Sequence, residues 1–131
     1  MENEKVCINL AAVEIGKIDV LVAKGLFTSR TDLIRSGIRR ILDENGAAVD
    51  QVALGAFALG MIVIPRFVLE EAKRERKHLT YKVIGILTID DDVSPDLAAE
   101  TIHDVRIFGS IRGPQAVLTR LGPRIKRGLS A

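Results

Sequence analysis

The chain of 131 residues is long enough for one domain or two small ones, and its 47% hydrophobic content is sufficient for a buried core. Its 19 basic and 17 acidic residues nearly balance, so the net charge of +2 singles out no class of partner. Cys7 is the only cysteine and cannot form an internal disulfide, and the acidic start MENEKV is unlike a secretory signal, so we expect a cytoplasmic protein.

The first predicted element is a short strand, KVCINL, over residues 5–10. A lone strand leaves its backbone donors and acceptors unpaired and is not stable. The simplest partner is the same strand from a second chain, paired antiparallel across a two-fold axis. The sequence alternates between two faces, an apolar one of Val6, Ile8 and Leu10 and a polar one of Lys5, Cys7 and Asn9.

Two helices are predicted next. Ile15, Ile18 and Val22 share one face of the first helix, and Gly25 ends it. The second helix begins at Ser29, with Asp32 three residues later as in a capping box, and the helical unit ends near residue 46. A broad apolar stripe runs along the second helix through Leu33, Ile34, Gly37, Ile38, Ile41 and Leu42.

Together these elements predict a homodimer in which four helices cover the apolar face of a two-stranded ribbon. The polar face of such a ribbon fits the major groove of B-DNA, where lysine can donate to guanine and asparagine can pair with adenine. The predicted dimer core consists of Val6, Ile8, Leu10, Ile34, Ile38 and Ile41.

Residues 4–44, including the ribbon and the stretch GLFTSRTDLIRSGIRRIL, resemble the ribbon-helix-helix family of DNA-binding repressors. That family includes the methionine and Arc repressors and nickel-responsive regulators, and its second helix commonly begins Ser-Arg-Ser-Glu. The resemblance implies an intertwined dimer. It further implies base contacts from Lys5, Cys7 and Asn9, and phosphate contacts at the start of the second helix from Ser29, Arg30 and Thr31.

The charge of this module is balanced, because residues 1–46 contain seven basic and seven acidic side chains. Any positive face must therefore come from the placement of charges. The tail that begins at Arg120 carries only basic charge and could contact phosphates, although such a tail is more often simply solvated.

The remainder of the chain predicts a small sheet with helices packed on it, in the order β-α-β-α-β-α over residues 57–121. The apolar run Val52 to Ile64 has 13 residues, too few for a membrane span of about 20, and is interpreted as buried interior. The strands IGILTI and IFGSIRG suggest a repeat, but two copies are too few to predict a solenoid. The strands are predicted at 57–64, 80–89 and 105–111, and the helices begin at Pro65, Ser94 and Gly113, the second of them ending near His103.

No catalytic set and no phosphate loop is apparent, so we expect neither an enzyme nor a bound cofactor. His78 and His103 are two lone histidines, fewer than the three or four ligands of a metal site. The turn Asp90 to Asp92 lacks the glycine and glutamate of a calcium-binding loop, so we expect no metal.

The sequence thus predicts an α+β protein with two domains. Residues 1–46 would form the DNA-binding and dimerisation domain, and residues 47–131 an oligomerisation or regulatory domain with room for an effector or a protein partner. The predicted function is a sequence-specific regulator, in the first place a repressor, that binds double-stranded DNA at the nucleoid as a dimer or a higher oligomer. The alternatives are an antitoxin of a toxin-antitoxin pair, and an assembly protein that uses the N-terminal unit only to dimerise.

Overall fold

A computed structural model describes residues 3–128 and divides the chain into two compact units, Met1–Ala47 and Ala48–Ala131. The N-terminal unit contains two helices, α1 (Ala12–Ala23) and α2 (Arg30–Glu44), which confirms the predicted helix pair. Helix α1 ends as the glycine stop requires. Gly25 takes a φ of +79°, and the Leu26 amide donates to the Leu21 carbonyl at 3.1 Å.

The predicted ribbon strand is not a strand in the single chain. Residues 3–10 are not helical, and they pair with no strand of the part of the chain that the structure describes. The physical reason is that a strand is completed only by a neighbour, and the predicted neighbour belongs to a second copy. The segment does not join the C-terminal sheet, whose four strands all come from residues 58–127.

The predicted strand and helix order of the C-terminal unit is confirmed. Two features were not predicted: a helix, α3, precedes the first strand, and a 3₁₀ turn at Gly122–Arg124 leads into a fourth strand. The third strand also begins at Ile102, earlier than predicted, because the preceding helix already ends at Thr101. The elements are α3 (Gly46–Ala53), β1 (Ala58–Ile64), α4 (Arg66–Arg74), β2 (Leu79–Ile89), α5 (Pro95–Thr101), β3 (Ile102–Arg112), α6 (Gln115–Leu121) and β4 (Ile125–Arg127).

The four strands form one parallel sheet in the order β1-β2-β3-β4. One face of this sheet carries α4, α5 and α6, since Leu69, Ala98 and Val117 from these three helices belong to a single buried cluster with strand residues such as Val83 and Ile107. Each strand pairs only with its neighbours in sequence. Such connections place the helices on one face when they share the usual right-handed crossover.

The apolar run Val52 to Ile64 is not buried interior, contrary to the prediction. Of its large side chains only Ile64 is fully buried, whereas Leu54 is 88% and Leu59 64% exposed. The reason is topological, because the side chain of Leu59 lies on the sheet face opposite to α4, and β1, as the edge strand, has a neighbouring strand on one side only. Within residues 3–128 no helix is both long and apolar enough to cross a membrane.

Candidate nucleic-acid interface

The segment expected to read bases is fully accessible. Lys5, Cys7 and Asn9 are all exposed, so their side chains are free to meet a large ligand. The alternate side chains are just as accessible, since Val6 is 80% and Ile8 is 64% exposed. An apolar face so open to water is unfavourable in an isolated chain, by roughly 25 cal/mol for each Å².

The N-terminal unit has no buried side chain anywhere in residues 3–47. Large apolar side chains are exposed throughout it, on both helices and on the segment before them, and Leu10 and Ile34 are only half-buried. A unit of this size without a core is not stable by itself. The exposed ones are Val6, Ile8, Val13, Val20, Leu21, Leu26, Ile38, Ile41 and Leu42.

The N-terminal segment lies beside α2 in the single chain. Asn3 and Glu4 line an open groove together with Arg35, Ile38 and Arg39. Ile38, a predicted dimer-core residue, is therefore at the surface and next to the segment that carries the predicted ribbon. The groove brings one part of the predicted dimer core close to the start of the ribbon.

The start of α2 is fixed by local hydrogen bonds, as the sequence predicts. The Ser29 hydroxyl accepts from the Asp32 amide at 3.0 Å, which caps the helix. The Asp32 carboxylate accepts from the Thr28 amide at 3.0 Å, one residue earlier than in a standard capping box. Arg30 and Thr31 are the first two helical residues, whose amides have no partner within the helix, so they can donate to an anion.

Arg30 forms an ion pair that the sequence analysis did not anticipate. Its guanidinium binds the Asp19 carboxylate of α1 in a bidentate manner, through Nε and Nη2, each at 2.8 Å. The hydrogen bond from Arg30 holds the pKa of Asp19 below its usual value, and the same bond raises the pKa of Arg30. Because both side chains remain about half exposed, the pair is accessible to water and to a competing phosphate.

The basic tail is used inside the C-terminal unit. Arg120 pairs with Asp96 at 3.0 Å and Lys126 with Asp104 at 3.5 Å. The Arg124 guanidinium donates to the carbonyls of Ala99 and Ile102. These contacts favour a structural role for the tail over a free phosphate-binding one.

The described residues show no group of three or more metal-ligating side chains. The fold does bring His78 and His103 together, with ring centroids 5.7 Å apart, although they are far apart in sequence. Two imidazoles alone fall short of a metal site. The C-terminal unit also has an apolar groove, lined by Ala48, Val49, Val52, Ile84 and Phe108, which presents carbon surface and no charged group.

Comparison with known families connects this geometry to a function. Residues 1–118 match the model of the ribbon-helix-helix transcriptional regulator family, so the match includes both the N-terminal unit and most of the C-terminal one. Comparison with curated proteins and with solved structures gave no match. The family match includes most of the chain, and the exposed N-terminal segment with alternating faces and the capped second helix agree with it. This chain therefore belongs to the ribbon-helix-helix transcriptional regulator family.

Proposed function

We propose that the protein is a homodimeric repressor that reads the major groove with two antiparallel copies of residues 5–10. The observation that carries this proposal is the absence of any buried side chain in residues 3–47, together with the nine large apolar side chains exposed there. A second copy supplies the missing strand and the missing core at once. Dimerisation then leaves the polar face of the ribbon pointing away from the apolar interior.

In this dimer each side chain of the polar face has a distinct task. Lys5 donates to acceptors on guanine, and Asn9 pairs with the edge of adenine. Cys7 is a weak donor, and its small side chain suits contact with a thymine methyl group. The ribbon thus provides the sequence preference.

Phosphate contacts would set the register of the ribbon in the groove. The amides of Arg30 and Thr31, at the positive end of the α2 dipole, would bind a phosphate oxygen, and the Ser29 cap supports this by fixing the first turn of the helix. When DNA binds, the Arg30 guanidinium has to exchange Asp19 for a phosphate or to share itself between the two. Asp19 therefore tunes the strength of the phosphate contact.

Occupancy of an operator by the dimer would block polymerase in the cytoplasm, and dimers on adjacent half-sites would raise occupancy through multivalency. The C-terminal unit would supply contacts between subunits. Its apolar groove would accept only an apolar effector, because its lining offers no charge to a polar one.

The test is selection of bound fragments from a genomic DNA library, followed by sequencing, for the wild type and for Lys5→Ala/Asn9→Ala. We expect the double variant to lose its sequence preference while it keeps most of its bulk affinity, because phosphate contacts remain. The matched control is Lys17→Ala/Gln51→Ala, which removes one lysine and one amide from exposed positions outside the ribbon. Identical enrichment by the wild type and the ribbon variant would refute the assignment of base contacts.

A further inference from the structure

The C-terminal sheet is built from a structural repeat. Gly60, Gly85 and Gly109 occupy equivalent positions on β1, β2 and β3, in direct register and spaced 25 and 24 residues apart. All three have a positive φ, of +121°, +136° and +116° respectively, which side chains rarely adopt. The third copy turns the suggested repeat into a real one, in which each unit contacts only the next, as in a solenoid.

Each glycine of the repeat contacts the glycine of the neighbouring strand in the same way. The carbonyl oxygen of Gly60 occupies the place where a side chain would begin on Gly85, and the carbonyl of Gly85 does the same at Gly109. The glycine conformation therefore accommodates the backbone of the preceding strand. At Gly60 the conformation is the same, but no described atom lies within 4 Å of that place.

The opposite end of the sheet is closed. The Gly109 carbonyl, which by the same contact would meet a glycine of a further strand, accepts a hydrogen bond from the Arg127 guanidinium at 3.2 Å. Arg127 belongs to β4, a three-residue strand of sequence IKR with two charges. Short, charged edge strands prevent further pairing, and this end of the sheet has one.

The β1 end has no such protection. The run Val52 to Ile64 contains no charged residue and no proline. The strand that it contains, β1, is seven residues long. Leu59, Met61 and Val63 are 64%, 49% and 50% exposed, and no strand within residues 3–128 pairs with the outer edge of β1. A long, uncharged, apolar edge with unpaired backbone groups is a site for strand addition.

We propose that the outer edge of β1 pairs antiparallel with β1 of a second copy of this chain, across a two-fold axis, so that the two four-stranded sheets become continuous. A head-to-tail arrangement is disfavoured because it would place β1 against the charged, closed end at β4. A second β1 is equally long, carries no charge, and presents the same unpaired outer edge. Self-pairing of one edge is an isologous contact, which occupies the same edge on both subunits.

Cross-linking through a single cysteine tests the pairing directly. In the Cys7→Ser background, Met61→Cys places one thiol on each β1. With Gly60 opposite Gly60 of the second copy, the two thiols lie on diagonal positions about 7–8 Å apart, within reach of a short bismaleimide. The matched control is Cys7→Ser/Ala116→Cys, whose thiol lies on the exposed side of α6.

We expect at least tenfold more cross-linked dimer from the β1 cysteine than from the α6 cysteine at the same micromolar protein concentration. Adding Leu59→Lys should reduce the β1 yield to the control level, because it places a charged side chain opposite each cysteine and two like charges at diagonal positions of the pair. Equal yields from the two cysteines would overturn the proposal. So would slow reaction of the β1 cysteine with a monofunctional maleimide together with a low dimer yield, since the edge would then be covered within the subunit.

Sedimentation of the otherwise unchanged chain provides a second measurement. We expect Val63→Lys to raise the dissociation constant of the β1-linked assembly at least tenfold, and Phe67→Lys on α4, which is also well exposed, to leave it unchanged. Equal constants for Val63→Lys and the wild type would overturn the proposal. Because the cross-link reports on β1 alone, its result is independent of whether the ribbon pairs or binds DNA.

Discussion

Truncation of Ile38 to alanine is the sharpest test of the dimer core. Ile38 is 54% exposed in the single chain and belongs to the stripe that the proposed dimer buries. Full burial of an isoleucine side chain contributes about 1.5–3 kcal/mol, so covering the exposed half contributes about 0.8–1.6 kcal/mol per chain. A two-fold interface contains the residue twice, which gives about 1.6–3.2 kcal/mol for the dimer.

The dissociation constant of the dimer is therefore expected to rise about 14- to 190-fold, since about 1.4 kcal/mol corresponds to a factor of ten. Sedimentation equilibrium over a concentration series measures this constant for the wild type and the variant. The matched control is Phe67→Ala on α4, because Phe67 is 67% exposed and belongs to the C-terminal unit. A change below threefold for Ile38→Ala, or an equal change in the control, would refute the assignment of Ile38 to a dimer interface.

Three further outcomes follow from contacts described above. Asp19→Asn should release Arg30 and remove a negative charge near the phosphates, so DNA affinity should rise and its salt dependence should steepen. The control Asp43→Asn, at the far end of α2, should change both quantities less, and titration of DNA binding at several salt concentrations measures them. Gly85→Ala should destabilise the C-terminal unit by about 2–6 kcal/mol, because of strain at positive φ and overpacking against β1. Urea denaturation followed by the fluorescence of Tyr81, the only tyrosine in a chain without tryptophan, measures this, and an unchanged urea midpoint would contradict the glycine contact. Burial raises the pKa of Tyr81 above its ordinary value of 10.0, so the stabilisation linked to the protonated phenol is complete below pH 10.0 and is lost as pH rises through the pKa of the folded state. Absorbance at the tyrosinate band should therefore show that Tyr81 ionises at a higher pH in the folded chain than in the urea-unfolded chain.

Local features of the fold are readable from the sequence. The start of α2 follows from Ser29 and Asp32, which act within one turn, and the end of α1 follows from Gly25. The alternation of strand and helix after residue 57 also predicts the order of elements in the C-terminal unit. These features depend on interactions between residues that are close in the chain.

Features that depend on distant contacts could not be read in the same way. The exposure of Leu59 follows from its place on an edge strand and on the sheet face opposite to the helices, and the uninterrupted apolar run shows neither which face is covered nor which strand lies at the edge. The bond between Asp19 and Arg30 depends on how the turn sets α1 against α2. The glycine register is visible only after the strands are paired, because Gly60, Gly85 and Gly109 become neighbours through the sheet.

The last strand of the C-terminal sheet closes the glycine repeat. Strand β4 occupies the edge where a further glycine strand would pair, and the Arg127 guanidinium binds the Gly109 carbonyl there, so together they act as a terminator. Duplication of one 24-residue segment upstream of it would leave the terminator and its target intact. The sheet can thus lengthen by whole modules without any change at its end, and each added strand would widen it by one strand spacing, about 4.8 Å.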